Sequence, residues 1–241
     1  MAAAALLATT SFASLAHAAP AKNIVLVHGA FVDGSGWRAV ADILTKDGYN
    51  VTIAQPPETS LDDDIAATKR LLDAQDGPTV LVGHSYGGAI ISGAGDHTKV
   101  KSLVYVAAFQ PDVGESLGSL AASMPPAGTP LKPSTDGFLY IEPAAFRADF
   151  AADLPAAETN FMARAQVGLS VKAAGASAGP PAWKAKPSFA VVATRDRSIN
   201  PDLERSMYKR AHSQVIEIAS SHAVYMSHAA EVAALIETAA Q

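Results

Sequence analysis

The sequence predicts an α/β fold, a mostly parallel sheet of about six strands with helices on both faces and a helical cap inserted after the fourth strand. Short runs of apolar, β-branched residues recur along the chain, as expected for buried strands. Segments in which apolar residues have helical spacing separate these runs, as in βαβ units. One long stretch breaks the alternation, and connections of that length usually have a function of their own.

The composition supports one large domain and argues against several classes of function. The 241 residues are 49% apolar and 17% charged, and the formal net charge of −5 disfavours nucleic acid or an anionic membrane as a partner. The sequence has no cysteine, which excludes disulfides, thiolate metal sites and cysteine catalysis. No motif has the spacing of metal ligands, so we expect a protein without cofactors, and the oligomeric state stays open.

The first 18 residues have the pattern of a signal peptide. Residues 1–15 are almost all Ala, Leu, Thr and Ser, and Ala16-His17-Ala18 fits the small-x-small cleavage pattern. The usual basic residue before the apolar stretch is missing, since Lys22 is the first charge. We expect export to the periplasm or medium, without membrane insertion after processing. If the segment is not functional, the protein is cytoplasmic.

The predicted core comprises residues 22–109 and 188–241. Its strands are apolar runs, and its helices show apolar residues on one face. Asn200-Pro201-Asp202 predicts a helix start, because it combines an N-cap residue, proline at the first helical position and an acid in the first turn. The predicted strands are 23–27, 51–54, 79–82, 100–107, 188–193 and 215–218, and the predicted helices cover 37–46, 61–72, the segment after 87, the segment after 200 and the C-terminal segment.

Residues 110–187 are predicted to form a cap over the strand ends, with short helices within 143–165 and no clear strand. We expect the aromatic residues of this segment to line an apolar pocket for the substrate. The alternative is that they anchor the cap to the core. The large apolar residues concerned are Phe138, Tyr140, Phe146, Phe150, Phe161, Met162 and Trp183.

Gly83-His84-Ser85-Tyr86-Gly87 lies between a predicted buried strand and a predicted helix. Strand, sharp turn and helix form the context in which a Gly-x-Ser-x-Gly sequence presents a nucleophilic serine. The two glycines leave room for the chain to fold back past a strained serine. We therefore predict that Ser85 is a nucleophile, and the alternative is a glycine-rich loop that packs a helix closely on the sheet.

A serine hydroxyl needs a base within hydrogen-bond reach, and the base needs a third group that fixes its tautomer. Asp196 follows the next-to-last predicted strand, and His222 follows the last one. Along the chain, serine, acid and histidine follow one another in the same order as the catalytic groups of one known type of hydrolase. Because the carboxyl ends of parallel strands share one edge of a sheet, Ser85, Asp196 and His222 are predicted to meet there.

Other histidines are weaker candidates for the base. His228 is the main competitor, but it is expected to start the last helix. His28 and His84 belong to turns and are expected to brace them. The others lie in polar stretches or in the targeting segment: His17, His97 and His212.

Other carboxylates are alternatives for the acid. Asp112 and Glu115 follow the fourth predicted strand, from which some hydrolases draw their acid. Asp202 and Glu204 are explained as charges in the first turn of a helix, where carboxylates interact favourably with the helix dipole.

The negatively charged oxygen of a tetrahedral intermediate, the oxyanion, requires backbone donors. One is predicted to be the N–H of Tyr86, the residue after the nucleophile. The other is predicted to be the N–H of Ala30, with Phe31 as the alternative, because Gly29 allows this loop to turn toward the site. Phe31 and Trp183 are predicted to contact the substrate.

Four motifs together resemble the α/β-hydrolase superfamily: Val27-His28-Gly29-Ala30, residues 83–87, Arg195-Asp196 and Ser221-His222. Within it, the chain resembles small esterases grouped with plant methyl-salicylate esterases and hydroxynitrile lyases, over residues 22–240. The resemblance implies an acyl-serine intermediate, no cofactor and a helical cap. The lyases of that group place a lysine after the histidine base and a threonine after the first-loop histidine. Ala223 and Gly29 occupy these positions here, which disfavours cyanohydrin cleavage.

The expected function is therefore hydrolysis of small to medium, mostly apolar carboxylic esters by a carboxylesterase-like enzyme. One alternative is the same fold acting on lactones, thioesters or C–C bonds, or as a lyase. A second alternative is a binding protein with a vestigial triad, because a fold alone does not prove a function.

Overall fold

The computed structural model describes residues 19–241, so the predicted targeting segment lies outside the described residues. Strands and helices alternate over the first half of this region and again near its end. The strands are β1 (Asn23–Val27), β2 (Asn50–Ala54), β3 (Thr79–Ser85), β4 (Val100–Ala108), β5 (Lys132–Pro133), β6 (Phe138–Tyr140), β7 (Leu169–Ser170), β8 (Ser188–Ala193) and β9 (Gln214–Ile218). The α-helices are α1 (Arg38–Lys46), α2 (Leu61–Asp73), α3 (Gly87–Ala94), α4 (Leu117–Ser123), α5 (Pro143–Phe150), α6 (Ala156–Met162), α7 (Val171–Gly175), α8 (Pro201–Arg210), α9 (Val224–Ser227) and α10 (Ala229–Ala240).

Six strands form one sheet in the order β2-β1-β3-β4-β8-β9, and every neighbouring pair is parallel. The prediction of a parallel sheet of about six strands is confirmed. Because all strands run the same way, the loops after β1, β3, β8 and β9 leave the sheet at the same edge. That edge therefore collects the four motifs identified in the sequence.

Both faces of the sheet are buried, which explains why β1 and β3 read as continuous apolar runs. Successive side chains of a strand point to opposite faces. Val25 and Val27 accordingly pack into one apolar cluster, while Ile24 and Leu26 pack into a second cluster on the other face. Helices α2 and α3 cover the first face, and α1 and α10 cover the second.

The helix starts that the sequence predicted follow from side-chain caps. The Ser60 side chain accepts a hydrogen bond from the Asp63 N–H, and the Asn200 side chain accepts one from the Asp202 N–H. Each cap satisfies a backbone donor that has no partner within its helix. Pro201 occupies the first turn of α8, where the missing N–H has no cost.

The segment between β4 and β8 contains helices α4 to α7 and a small antiparallel sheet of order β5-β6-β7. The sequence analysis found no strand here, and the three strands have only two or three residues each, too short for a strand pattern. Backbone hydrogen bonds attach this cap segment to the loops of the sheet edge, among them those from Phe31 N–H to Val167 O and from Ala223 N–H to Phe150 O, both 3.0 Å long.

Candidate active site

Ser85 lies at the end of β3 in a strained turn. Its φ of 53° is in the left-handed region, which non-glycine residues rarely adopt outside special sites. A Cβ on Gly83 would lie 2.5 Å from the Gly87 carbonyl oxygen, and one on Gly87 would lie 2.8 Å from the oxygens of Val27 and His28. Both positions therefore require glycine. The turn presents Ser85 at the edge of the sheet where α3 begins.

Asp196 and His222 meet at the same edge. The Nδ1 atom of His222 is 2.5 Å from Asp196 Oδ2, and both side chains are buried. Asp196 Oδ1 accepts from the N–H groups of Ser198 and Ile199 at 2.6 and 2.9 Å, which fixes the carboxylate. Because Nδ1–H donates to the carboxylate, the lone pair of the ring lies on Nε2. That atom is buried and has no hydrogen-bond partner within residues 19–241.

The loop that carries His222 is held by the cap. Asp153 accepts hydrogen bonds from the hydroxyl of Ser220 at 2.6 Å and the N–H of Ser221 at 3.1 Å. Partial burial raises the Asp153 pKa, but these donors outweigh it and hold the pKa below its ordinary value. The ring of Phe150 meets the His222 ring edge-on at 4.9 Å between centroids. The cap thus contributes to the position of the imidazole.

His84 holds the same loop through a hydrogen bond to its backbone. Its Nε2–H donates to the His222 carbonyl oxygen at 3.1 Å, and its ring centroid is 4.6 Å from that of His222. Burial, followed by the proximity of His222, lowers the pKa of His84 well below the ordinary value. His84 is therefore neutral at physiological pH and acts as a packed hydrogen-bond donor, as its place in the turn suggested.

The competing side chains have other partners. His228 occupies the N-cap position of α10 without a capping hydrogen bond from its side chain, and its Nδ1 atom lies 2.9 Å from the Ser227 hydroxyl oxygen. Asp202 pairs with Arg205 on the surface of α8. The two acids after β4 pair with basic residues, Asp112 with Lys184 and Glu115 with Arg210.

Glu204 lies in the first turn of α8, as the sequence interpretation placed it, but its burial was not predicted. The side chain is fully buried, and Oε2 accepts from the Ala193 N–H at 3.2 Å. Burial, followed by the nearby Asp196, raises the Glu204 pKa well above its ordinary value. The signal was available, because Glu204 has i+3 and i+4 spacing to the buried residues Met207 and Tyr208 of α8.

The two predicted oxyanion donors flank Ser85. A Cβ on Gly29 would lie 2.5 Å from Ser85 Cβ, so the loop after β1 runs directly against the serine. The Phe31 N–H already donates to Val167 O. Of the two N–H groups considered in this loop, that of Ala30 is thus the better candidate, together with that of Tyr86.

Ser85 and His222 line one cavity of about 290 Å³ with Ala30, Phe31 and Tyr86. The cap contributes aliphatic and small residues to this cavity rather than the aromatic residues that the sequence suggested. Trp183 is not brought to the cavity, because its indole N–H donates to Pro111 O at 2.9 Å and its ring is buried at the base of the cap. The apolar lining includes Phe109, Leu117, Ala121, Leu131, Leu139, Ile141, Leu169 and Ile199.

A buried polar cluster behind the loop after β1 was not predicted. His28, Glu58 and Asp64 are at most 1% exposed, and His28 Nδ1 lies 3.4 Å from Glu58 Oε1. Burial raises the Glu58 pKa to about 7. Burial lowers the His28 pKa, but the Glu58 carboxyl group 3.4 Å from Nδ1 and the hydrogen bond to the Gly29 carbonyl oxygen outweigh it and leave the pKa above the ordinary value.

Glu58 is expected to make the stability depend on pH. The unfolded chain loses the Glu58 proton near the ordinary pKa of 4.5, whereas the folded protein keeps it up to about pH 7. The free energy of unfolding therefore falls as pH rises through this window, by at most roughly 3 kcal/mol from this group. His28 has the same sign, since its raised pKa gives stability that is lost at higher pH.

Urea unfolding at about pH 5 and pH 8 measures this effect by comparing wild type with Glu58→Gln. We expect the difference in unfolding free energy between the two pH values to shrink in the variant. Glu158→Gln, at an exposed position of α6, is the control and is expected to keep the wild-type difference. An unchanged pH difference in Glu58→Gln would contradict the assignment.

Metal-binding clusters and membrane-spanning helices are both absent from the part of the chain that the structure describes. Residues 19–241 contain no group of three or more His, Asp or Glu side chains that could hold a metal ion. They also contain no helix with the length and apolar character needed to cross a bilayer.

The fold and the motifs at the sheet edge define the class of protein as an α/β-hydrolase. The profile described as the alpha/beta hydrolase family matches residues 24–235, and the chain belongs to this family. The resemblance inferred from the sequence is confirmed at that level.

Relatives and solved structures agree with the family. A carbendazim hydrolyzing esterase of Nocardioides sp. (strain SG-4G) is 37% identical over 119 residues, 43% of this chain and 49% of that protein, so the chain spans about half the length of this curated relative. A pyrethroid hydrolase from Sphingobium faniae JZ-2 has a TM-score of 0.76 at 23% identity, covering 91% of this chain and 97% of that one. An extracellular alpha/beta-hydrolase from a Paenibacillus species, described as sharing structural and functional homology with tobacco salicylic acid binding protein 2, has a TM-score of 0.76 at 17% identity, covering 91% and 99%. At these identities the structural likeness establishes the fold.

Proposed function

We propose that this chain is a serine hydrolase of small to medium, mostly apolar carboxylic esters. The observation that carries the proposal is the buried His222–Asp196 pair, in which His222 Nε2 has no hydrogen-bond partner among residues 19–241, together with the cavity that His222 and Ser85 both line. A general base needs an unoccupied lone pair near the nucleophile and a partner that fixes its tautomer. The names of the esterase and hydrolase relatives support the same chemistry.

In the proposed mechanism, Ser85 Oγ attacks the ester carbonyl carbon while His222 Nε2 takes the hydroxyl proton. Asp196 holds the ring and stabilises the imidazolium. The carbonyl oxygen becomes an oxyanion, which the N–H groups of Ala30 and Tyr86 bind. The C–O bond then breaks, and the alcohol leaves with the proton from Nε2. Water loses a proton to His222 and attacks the acyl-serine carbonyl carbon. The second oxyanion then collapses, the bond to Ser85 Oγ breaks, Oγ takes the proton back from Nε2, and the acid is released.

The cavity supports the proposed substrate class. Its volume of about 290 Å³ is at the lower end of the range for small-molecule sites. Its lining is mainly aliphatic, and Arg197 at its edge is bound to Asp149 at 3.0 Å. A neutral acyl group with one short chain or one ring fits these properties better than an anionic group. The proposed mechanism uses no cofactor. The proposal that the protein is exported rests on the sequence pattern of residues 1–18 alone.

The test is a series of p-nitrophenyl esters of increasing acyl length, combined with labelling by a fluorophosphonate. We expect the highest kcat/KM for short or medium chains, and a label that peptide mass spectrometry locates on Ser85. Lactones, thioesters and cyanohydrins in the same panel separate the alternative reactions. Absence of both hydrolysis and labelling would refute the serine mechanism and favour a binding protein.

A further inference from the structure

Tyr86 is anchored from behind by a buried carboxylate. Asp64 Oδ2 accepts a hydrogen bond from the Tyr86 hydroxyl, and Asp64 Oδ1 accepts one from the Glu58 N–H at 2.7 Å. Asp64, Glu58 and Tyr86 are all 0% exposed, so water does not compete for these bonds. Burial raises the pKa of Tyr86 above its ordinary value, which keeps the phenol protonated as a donor.

The same group of residues reaches the second proposed donor. Glu58 has a φ of 58°, and its side chain lies 3.4 Å from His28 Nδ1. His28 Nδ1–H in turn donates to the Gly29 carbonyl oxygen at 2.9 Å. Gly29 directly precedes Ala30. A series of buried polar contacts therefore runs from the Tyr86 hydroxyl through Asp64, Glu58 and His28 to the peptide between Gly29 and Ala30.

The buried contacts to the Tyr86 hydroxyl restrain the strained turn at Ser85. Ser85 has a left-handed φ, so the peptide that joins it to Tyr86 tends to relax unless its surroundings hold it. That peptide supplies the N–H that the proposed mechanism directs at the oxyanion. A donor is effective only when it points at the place where the charge develops. The Phe109 N–H donates to the Ser85 carbonyl oxygen of that peptide at 3.1 Å, and the Asp64 carboxylate holds the Tyr86 side chain on the other side.

We propose that Asp64 is a positioning residue that sets the oxyanion hole by holding the Tyr86 hydroxyl. This inference rests on the proposed function. Asp64 touches no reacting atom in this role. It acts through Tyr86, and the Glu58 N–H orients the Asp64 carboxylate for that purpose.

A matched pair of substitutions tests the proposal. Tyr86→Phe removes the hydroxyl that Asp64 binds, and Tyr105→Phe removes an equally buried hydroxyl that lies 3.0 Å from Ser92 Oγ. A trifluoromethyl ketone with the preferred acyl chain forms a tetrahedral oxyanion and reports on the donors directly. We expect Tyr86→Phe to raise the Ki of this ketone about tenfold. We also expect it to lower kcat with a much smaller change in KM. The loss in kcat should be smaller than the loss that removal of a whole oxyanion donor causes. We expect Tyr105→Phe to leave Ki and kcat within about twofold.

Asp64→Asn tests the same contact from its other partner, and it serves as the test if Tyr86→Phe does not fold. The amide nitrogen that replaces Oδ2 cannot accept the Tyr86 hydroxyl proton, so this hydrogen bond is lost or reversed in direction, and Ki is expected to rise at most as far as in Tyr86→Phe. In the double variant the two effects should not add, because both act through one contact. Equal Ki values for Tyr86→Phe and Tyr105→Phe, or a fully additive double variant, would overturn the positioning role. A wild type that neither hydrolyses esters nor binds the ketone would instead refute the proposed function.

Discussion

Ser85→Ala is expected to lower kcat/KM for the best p-nitrophenyl ester by about 10³- to 10⁶-fold, with the fold intact. Alanine has no nucleophile, and the remaining reaction would depend on water and the oxyanion donors. Alanine fits the site sterically, because it only removes the Oγ atom. Stopped-flow assays should also show that the burst of p-nitrophenol, which reports the acyl-enzyme, disappears.

Ser102→Ala is the matched control for this prediction. Ser102 is a buried serine of β4 whose hydroxyl donates to Ala239 O at 2.7 Å. Its loss is expected to cost about 1 kcal/mol of stability without a comparable loss of activity. If Ser85→Ala retains more than about a tenth of the wild-type kcat/KM while Ser102→Ala behaves as expected, a different nucleophile must be sought.

Asp196→Asn is expected to lower kcat by about 10⁴-fold with little change in KM. The asparagine amide can donate to His222 Nδ1, which would place the ring proton on Nε2. The imidazole would then present a donor to Ser85 and could not accept its proton. The Ser198 and Ile199 N–H groups can still bind the amide oxygen, so the loop is expected to keep its conformation.

Asp202→Asn separates this prediction from a general effect of lost charge near α8. Asp202 is exposed and pairs with Arg205, and exposed pairs contribute little to stability. Its activity is expected to stay within about twofold of wild type. Comparable losses in Asp196→Asn and Asp202→Asn would show that the acid was assigned incorrectly.

The core of the fold could be predicted because its signals are local. Residues 24–27 of β1 and 80–82 of β3 are apolar throughout, because both faces of the sheet are covered. The caps of α2 and α8 depend on residues within three positions of each other. The short strands β5 to β7 were missed, because two or three residues carry no periodicity.

The candidate site was predicted in part. Chain order and position at strand ends selected Ser85, Asp196 and His222. In the structure, Asp196 and His222 form a hydrogen bond, and Ser85 lines the same cavity as His222. The roles of these residues stay predictions until the variants are measured. Trp183 was selected as a large apolar residue of the cap, but apolar character alone does not tell a pocket wall from an anchor.

The sequence by itself determined the parallel sheet, the family and the set of polar residues at one sheet edge, because strand runs and motif order are properties of the chain. The tertiary structure alone decided what the buried carboxylates touch. Glu204 lies beside Asp196, and Asp64 binds Tyr86 across 22 positions of sequence. The pKa of a carboxyl depends on burial and on neighbours that folding supplies. Those contacts join elements distant in sequence, so no local pattern records them.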